Sequence, residues 1–264
     1  MMAAALAYAR AISSWRRAIW LSMILLFEQY SRGSRIGFLF SLLEPLIVIA
    51  GLYVLRGLFK GGEANYGTSL FLFYASGFLP FYLFLRVSSR TRSTAVGPRS
   101  RLPGVSSLDL YIAAVALNSL IWITMIVAIF LGMWLYGIER ARPASIVDCT
   151  IPILLFIALG AGVGMINNVI NRFFNFWNRF YGIFTRGLAF LSGVMAIVDL
   201  QPLWLRAWSI ANPLSHGIEW FRLGVYGRYP VNSLDIPYLL EWALIALFLG
   251  FIIDRGALRG LDNR

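Results

Sequence analysis

The chain has 264 residues, of which 59% are hydrophobic and only 13% are charged, and its mean hydropathy is +0.72. Charged residues make up about a quarter of an ordinary soluble domain, so the composition excludes that class and predicts a polytopic membrane protein. The 23 basic and 12 acidic residues give a net charge of +11, which in a soluble protein would suggest nucleic-acid binding. Here the basic residues fall between apolar segments, as the positive-inside rule predicts, and we expect no nucleic-acid partner.

Three single residues exclude further classes of site. Cys149 is the one cysteine of the sequence, so no intrachain disulfide can form, and His216 is the one histidine, so there is no His/Cys metal cluster. The one lysine, Lys60, precedes two glycines and lacks the spacing of a phosphate-binding loop. We therefore expect this chain to bind no metal or cofactor of its own.

The N-terminal segment 1–31 is predicted to form an amphipathic helix. Apolar residues recur at three- and four-residue spacing between Ala3 and Tyr30, and three arginines fall on other positions. Such a helix lies in the membrane interface or packs as an ordinary cytoplasmic helix on the base of the protein. The arginines also interrupt the apolar core that a signal peptide needs, so we expect the segment to be retained.

Six membrane spans are predicted within one transmembrane domain, 1–264: five in 36–199, then a segment at 200–227 that does not span, then the sixth with a tail in 236–264. Their approximate bounds are Ile36–Phe59, Leu70–Val87, Leu110–Tyr136, Thr150–Ile170, Phe180–Asp199 and Ile236–Ile253. Sixteen arginines fall in the connections that this arrangement places inside and six basic residues in those outside. The positive-inside rule therefore favours two cytoplasmic termini and disfavours a seventh span.

The first span contains two unusual charges. Glu44 is costly within membrane reach unless it is paired or hydrated, so it either pairs with an arginine near the cytoplasmic face or lies on a substrate path. Arg56, near the other end of the span, can extend to the outer interface or belong to the same path.

The most basic stretch, residues 86–109, is predicted to be cytoplasmic. It contains five arginines against the single acid Asp109, and Gly-Pro and Pro-Gly pairs frame its centre. Two interpretations remain open from the residues alone: a solvated loop that anchors the chain, and a docking element for a soluble partner.

Segment 200–227 is too apolar for a loop and too interrupted to span a bilayer. Pro202, Pro213, Gly217 and three charged residues cut its apolar runs to well below the roughly 20 residues of a spanning helix. We predict two short re-entrant helices. Glu219 and Arg222, three residues apart, are expected to pair with each other or across a dimer. His216 either ties the turn at Asn212-Pro213 or titrates near neutral pH.

Several motifs, in this order among six spans, resemble the permease subunit of polysaccharide-exporting ABC transporters, most closely the capsular polysaccharide export permeases. They are SRIGFLFSLLEPL, RSRLPGVSSLDLYIA, FLSGVM and ANPLSHGIEWFR. The resemblance implies a homodimer in the bacterial inner membrane that works with two copies of a separate ATPase, which binds ATP and Mg. It further implies a periplasmic co-polymerase, an outer-membrane export protein and a lipid-linked polysaccharide as cargo.

The resemblance also assigns roles to segments. It implies that Arg99–Ser107 is a coupling helix docked on the ATPase, and that Leu203–Val225 forms re-entrant helices at the exit. The coupling residues would be Arg99, Arg101, Leu102, Pro103 and Gly104. The exit residues would be Asn212, Pro213, His216, Glu219 and Arg222, with Glu44, Arg56, Trp204 and Trp208 on a possible path or gate.

Two alternatives stand beside capsule export. One is an exporter of the same fold that carries O-antigen, teichoic acid or a small molecule. The other is an integral-membrane enzyme that acts on lipid-linked sugars, which would need a carboxylate or histidine constellation at one membrane face. The carboxylates Glu44, Glu219, Glu241 and Asp254 are divided between faces in the predicted topology, which argues against the enzyme.

Overall fold

The computed structural model describes residues 2–32, 35–60, 66–93, 106–174 and 176–262, and side chains over 15–30, 42–58, 66–93, 106, 108–138, 140–174 and 176–256. All regular structure in these residues is helical. The helices are α1 (Met2–Arg32), α2 (Arg35–Lys60), α3 (Leu70–Ser93), α4 (Ser107–Leu135), α5 (Ile146–Phe173), α6 (Trp177–Leu191), α7 (Leu203–Ile210), α8 (Pro213–Tyr226) and α9 (Ile236–Asp262). Single 3-10 turns lie at Glu139–Ala141 and Val198–Leu200. The all-α prediction is confirmed for this part of the chain.

Four helices of the described part are both long and apolar enough to cross a membrane: Leu70–Ser93, Leu108–Leu135, Ile146–Phe173 and Ile236–Gly256. They correspond to the predicted second, third, fourth and sixth spans. Helix α2 has 26 residues, about 39 Å at 1.5 Å per residue, which also exceeds the roughly 30 Å hydrocarbon core. The count of six spans stays a prediction because it depends on α6.

Helix α6 differs from the predicted fifth span. It begins at Trp177 and ends at Leu191 after 15 residues, a length of about 22 Å that is shorter than the hydrocarbon core. The predicted span continued as far as Asp199, because residues 192–199 are mostly apolar. The helix stops earlier because Gly193 adopts φ +68°, and the next carbonyls turn toward an arginine of α8 described below.

Helix α5 is the centre of the bundle and packs on α3, α8 and α9. Its glycines allow the close approach. A Cβ at Gly162 would lie 2.3 Å from the carbonyl carbon of Ala246 in α9, and one at Gly164 would lie 2.6 Å from Cβ of Thr91 in α3. These small residues in the predicted fourth span therefore allow close helix packing.

The long helices run antiparallel, which gives the bundle two ends. At the basic end, Tyr111 at the start of α4 donates to Asp254 near the end of α9, and Ser88 near the end of α3 contacts Tyr181 at the start of α6. At the opposite end, called the hairpin end because the short helices α7 and α8 lie there, α8 contacts the starts of α5 and α9. This alternation is the one that the predicted topology requires.

Helix α1 packs along the first half of α4. Its side chains Ile19, Met23 and Leu26 contact a cluster of Ala113, Ala114 and Leu117. The helix is thus present where it was predicted and is packed on the protein itself. Its opposite face carries exposed apolar side chains, among them Trp20, Leu21, Ile24 and Phe27, which is the distribution expected of a helix that also contacts lipid.

Candidate functional site

Segment 200–227 forms a hairpin of two short helices, α7 and α8, at the hairpin end of the bundle. The Asn212 side chain caps α8 by accepting from the amide of Leu214 at 3.1 Å, and Pro213 occupies the first helical position. At the other end Gly227 takes φ +70° and its amide donates to Leu223. Asn212-Pro213 and Gly227 therefore fix the two ends of α8.

Hydroxyl and amide groups hold the α7–α8 corner together. The side-chain Nδ2 of Asn212 donates to Ser192 Oγ at 2.9 Å, which joins the corner to the end of α6. Ser215 donates to the carbonyls of Ser209 and Asn212, and Ser209 donates to Gln201 Oε1 at 2.7 Å. All five side chains are buried, so the corner is a satisfied polar core and not a surface loop.

His216 is a structural residue of this hairpin. It is buried, its Nδ1 accepts from the amide of Asp235 at 3.0 Å, and its Nε2 lies 2.8 Å from the carbonyl oxygen of Ile210. Because a backbone amide can only donate, Nδ1 is the acceptor and Nε2 carries the proton. The ring thereby joins the end of α7 to the segment before α9, as the structural interpretation of this histidine predicted.

Arg222 is fully buried, with 0% of its surface exposed, and it joins α8 to two distant segments. It donates to the carbonyls of Gly193 at 2.7 Å and Val194 at 2.6 Å, and it lies 4.0 Å above the ring of Phe73 in α3. A Cβ at Gly77 would lie 2.6 Å from its Nη2. The guanidinium is therefore enclosed by carbonyl dipoles and an aromatic face.

The predicted pairing of Glu219 with Arg222 is wrong within this chain. No ion pair joins the two among the described side chains, because Arg222 points to α3 and the 193–194 turn and Glu219 points to the 3-10 turn that begins at Val198. Glu219 is 1% exposed, and its Oε1 has no hydrogen-bond partner within the described chain. Burial, followed by the charge of Asp199, raises the pKa of this carboxyl to about 7.

The outer side of the hairpin holds an ion pair that sequence reasoning missed. Arg206 of α7 donates to Asp199 at 2.8 Å, and Asp199 also accepts from the amide of Asn232 at 2.8 Å and from Ser233. Asp199 was interpreted only as the end of the fifth span. Its partners Asn232 and Ser233 lie 33 and 34 residues later and give no signal in the sequence pattern. These contacts of Asp199 are therefore seen only in the fold.

Helix α7 presents an exposed aromatic face. Trp204 is 70% exposed and Trp208 is 66% exposed, and Leu200 and Leu203 beside them are also exposed. Trp204 and Trp208 are four residues apart, so their rings lie on one side of the helix. The two rings are therefore accessible to a ligand or partner.

At the basic end, Glu44 of α2 pairs with Arg86 of α3. This is the pairing with an arginine that was predicted for Glu44, and it leaves the substrate-path interpretation without support. Arg86 also stands over the ring of Trp122 in α4. Arg56 is half-buried near the other end of α2. The predicted coupling residues Arg99, Arg101, Leu102, Pro103 and Gly104 lie outside the described residues.

A second polar cluster at the basic end was also missed. Asp254 of α9 is buried, accepts from the hydroxyl of Tyr111 at 2.8 Å and lies 3.6 Å from Arg172 of α5. Asn168 donates to the same tyrosine at 2.9 Å. No partner was predicted for Asp254 from the sequence, yet this residue joins α4, α5 and α9.

Residues 17–226 match the ABC-2 type transporter family, and this range runs from the middle of α1 to the end of α8. The chain belongs to the ABC-2 type transporter family. Members of that family are membrane components of ABC transporters, so this chain is a transport subunit.

Three curated relatives of this ABC-2 chain are exporter proteins. The polysialic acid transport protein KpsM of Escherichia coli is 28% identical over 231 residues, which are 84% of this chain and 86% of the relative. The capsule polysaccharide export inner-membrane protein CtrC of Neisseria meningitidis is 23% identical over 242 residues, 89% and 88% of the two chains. The capsule polysaccharide export inner-membrane protein BexB of Haemophilus influenzae is 27% identical over 101 residues, 38% of each.

Proposed function

We propose that this ABC-2 chain is the permease subunit of an ABC exporter that moves capsular polysaccharide across the bacterial inner membrane. One observation carries the proposal: relatives named for polysialic acid transport and capsule polysaccharide export align over 84% and 89% of the chain. The family match over residues 17–226 includes the α7–α8 hairpin as well as most of the long helices. The protein is multi-pass and works with an ATPase partner.

The proposal extends to the subunits, the orientation and the envelope partners of the exporter. The exporter contains two copies of the chain and two ATPases that bind ATP and Mg, and both termini of the permease are cytoplasmic. A periplasmic co-polymerase and an outer-membrane export protein receive the lipid-linked chain. The arginine distribution supports this orientation, because the basic end of the bundle then faces the ATPases.

Helix α3 links the two functional ends in this proposal. Its end leads directly into the segment proposed as the coupling helix, and its start holds Arg222 of α8 through Phe73 and Ser76. Most of the helix is buried in the core, so it transmits displacement as a rigid body. Closure of the ATPases would thus displace the α7–α8 hairpin through α3.

The exposed rings of Trp204 and Trp208 form the cargo-facing part of the exit. Aromatic faces suit polysaccharide passage, because they stack on sugar rings through dispersion without requiring one fixed set of hydrogen bonds. Re-entry of the hairpin is supported by depth: Gly217 of α8 lies against Phe156, ten residues after the start of α5 and so about 15 Å along it.

The test is surface polysaccharide in cells whose own permease gene is deleted and which carry this chain with its ATPase. We expect Trp204→Ala/Trp208→Ala to lower surface polysaccharide several-fold at unchanged permease level. Phe248→Ala, an aromatic residue of α9 that is also 66% exposed, serves as the control and should export normally. Equal export by both variants would contradict the exit assignment, and failure of the unaltered chain to export would contradict capsule export itself.

Docking of the ATPase has a separate test. Arg99→Glu/Arg101→Glu should reduce co-purification of the ATPase with the permease, because the two reversed charges lie in the proposed coupling helix. Arg179→Glu is the matched control, since this exposed arginine begins α6 at the same end of the bundle. Undiminished association of the double variant would place the docking site elsewhere.

A further inference from the structure

An apolar groove lies between α4 and α5 at the hairpin end, and no residue of α7 lines it. Its volume is about 660 Å³, within the range of small-molecule sites. The floor is formed by buried side chains of three helices, Phe130, Ile153 and Phe221. The rims are exposed apolar side chains, Val127, Leu131 and Trp134 on α4 and Ile146 and Leu154 on α5.

The groove exists because α5 packs chiefly on α3, α8 and α9 and only weakly on α4. The edge-to-face contact of Phe130 with Phe221, 5.9 Å between ring centroids, closes its base. The polar groups on its wall are already engaged: Thr150 donates to the carbonyl of Ile146, and the Cys149 thiol faces the carbonyl of Phe221. The interior therefore offers nothing to a polar ligand and suits a hydrocarbon.

The depth of the groove matches one leaflet. Its wall on α4 runs from Ile123 to Trp134, eleven residues or about 16 Å, which is about half of the roughly 30 Å hydrocarbon core. It opens at the side of two helices long and apolar enough to span the membrane. An acyl chain of a lipid in the leaflet at the hairpin end would occupy this length.

One charged residue lines the groove, at its mouth. Arg142, in the connection between α4 and α5, is exposed and makes no ion pair with a described side chain. A guanidinium group at the headgroup level binds a phosphate by two parallel hydrogen bonds. A positive charge at the mouth and an apolar interior below it match the phosphate and the acyl chain of an anionic phospholipid.

We propose that the α4–α5 groove is a binding site for an anionic phospholipid, with one acyl chain along α4 and the phosphate on Arg142. This lipid is distinct from the cargo, because Trp204 and Trp208 do not line the groove. A lipid in this position would fill the space that separates α4 from α5 and would stabilise the wall against which α8 rests.

The experiment uses the full chain reconstituted in phosphatidylcholine vesicles that contain a photoactivatable lipid with a diazirine in one acyl chain. The lipid is either phosphatidylglycerol or phosphatidylcholine with the same chains, and adducts are mapped by peptide mass spectrometry. We expect phosphatidylglycerol adducts on 123–134 and 146–154 at several-fold higher yield than phosphatidylcholine adducts.

Two matched pairs of variants sharpen the result. Arg142→Gln should lower the phosphatidylglycerol yield to that of phosphatidylcholine, whereas Arg140→Gln, an exposed arginine two residues away that does not line the groove, should not. Val127→Trp should remove groove adducts of both lipids, whereas Leu120→Trp should not. Leu120 and Val127 are both 59% exposed on α4, and of the two only Val127 lines the groove.

Three results would overturn the proposal. Adducts spread evenly over the lipid-facing helices would show annular lipid only. Equal yields of the two lipids in the unaltered chain would remove the anionic preference. Absence of groove adducts with both lipids in the unaltered chain would show that no lipid occupies the groove, as expected if it is an interface between subunits.

Discussion

Substitution of Gly77 by alanine tests whether α3 and α8 are locked together. A Cβ at this position would lie 2.6 Å from Nη2 of Arg222 and 2.8 Å from the carbonyl oxygen of Val194. Neither neighbour can move freely, because Arg222 is held by buried acceptors and Val194 belongs to the backbone turn that those bonds fix. The methyl group must therefore displace the guanidinium or the turn.

The expected cost follows from three terms. Overpacking a closed core costs about 1–3 kcal/mol, and loss of one hydrogen bond to a charged group costs about 1.5–3 kcal/mol. Alanine recovers about 0.5–1 kcal/mol over glycine within a helix. The net destabilisation is about 2–5 kcal/mol, which corresponds to a fall in Tm of roughly 4–20 °C for a domain of this size.

The assay is thermal unfolding of the purified permease in detergent, followed by the fluorescence of its tryptophans. Gly132→Ala in α4 is the control, because no atom lies within 4 Å of a Cβ there and the helix only gains from alanine. We expect Gly77→Ala to melt lower and Gly132→Ala to melt at or slightly above the unaltered chain. A Gly77→Ala variant with the Tm of the control would refute the reasoning.

Three further changes probe buried polar groups. Burial raises the pKa of Glu219 from 4.5 to about 7. The unfolded state therefore loses this proton at lower pH than the folded state does. The free energy of unfolding should fall by up to about 3 kcal/mol as pH rises from 4.5 through 7. Glu219→Gln keeps the neutral form and should abolish this fall in Tm between pH 5 and 8.5; a variant with the same pH profile would contradict it. His216→Phe should cost about 2–6 kcal/mol in thermal unfolding, because two buried backbone groups lose their partner, and an unchanged Tm would show that water replaces the ring. Asp254→Leu should cost about 3–5 kcal/mol by leaving Arg172 unpaired, whereas Asp254→Asn, which can still accept from the tyrosine hydroxyl, should cost less; equal Tm values for the two would count against that hydrogen bond.

Features set by local sequence were predictable. The positions of α2, α3, α4, α5 and α9 follow from long apolar runs, and the hairpin follows from Asn212-Pro213 and Gly227, which cap α8 whatever surrounds it. Glu44 was also predictable, since a carboxylate within the membrane needs a cation and the arginines cluster at one end.

Features set by distant partners were not predictable. The spacing of Glu219 and Arg222 fits a pair on one helix face, but Arg222 finds carbonyls that lie 28 and 29 residues away. The same contacts end α6 early, although the sequence after Leu191 remains apolar. Asp254 gave no signal because its partner Tyr111 lies 143 residues away.

The division of the hairpin into a fixed and an exposed helix has a mechanical consequence. Helix α8 is buried along nearly its whole length and is tied to α3, α5 and the segment before α9, so it cannot move unless the bundle moves with it. Helix α7 carries the exposed rings and is attached through the Asn212 corner and the Arg206 to Asp199 pair. The start of α3 accepts hydrogen bonds from Arg222 of α8, and its end precedes the proposed coupling segment in the sequence. A tilt of α3 would therefore carry α8 with it and move the aromatic face of α7. A charge buried among carbonyls suits this linkage better than an ion pair would, since it holds three segments at once and leaves no single partner to be exchanged.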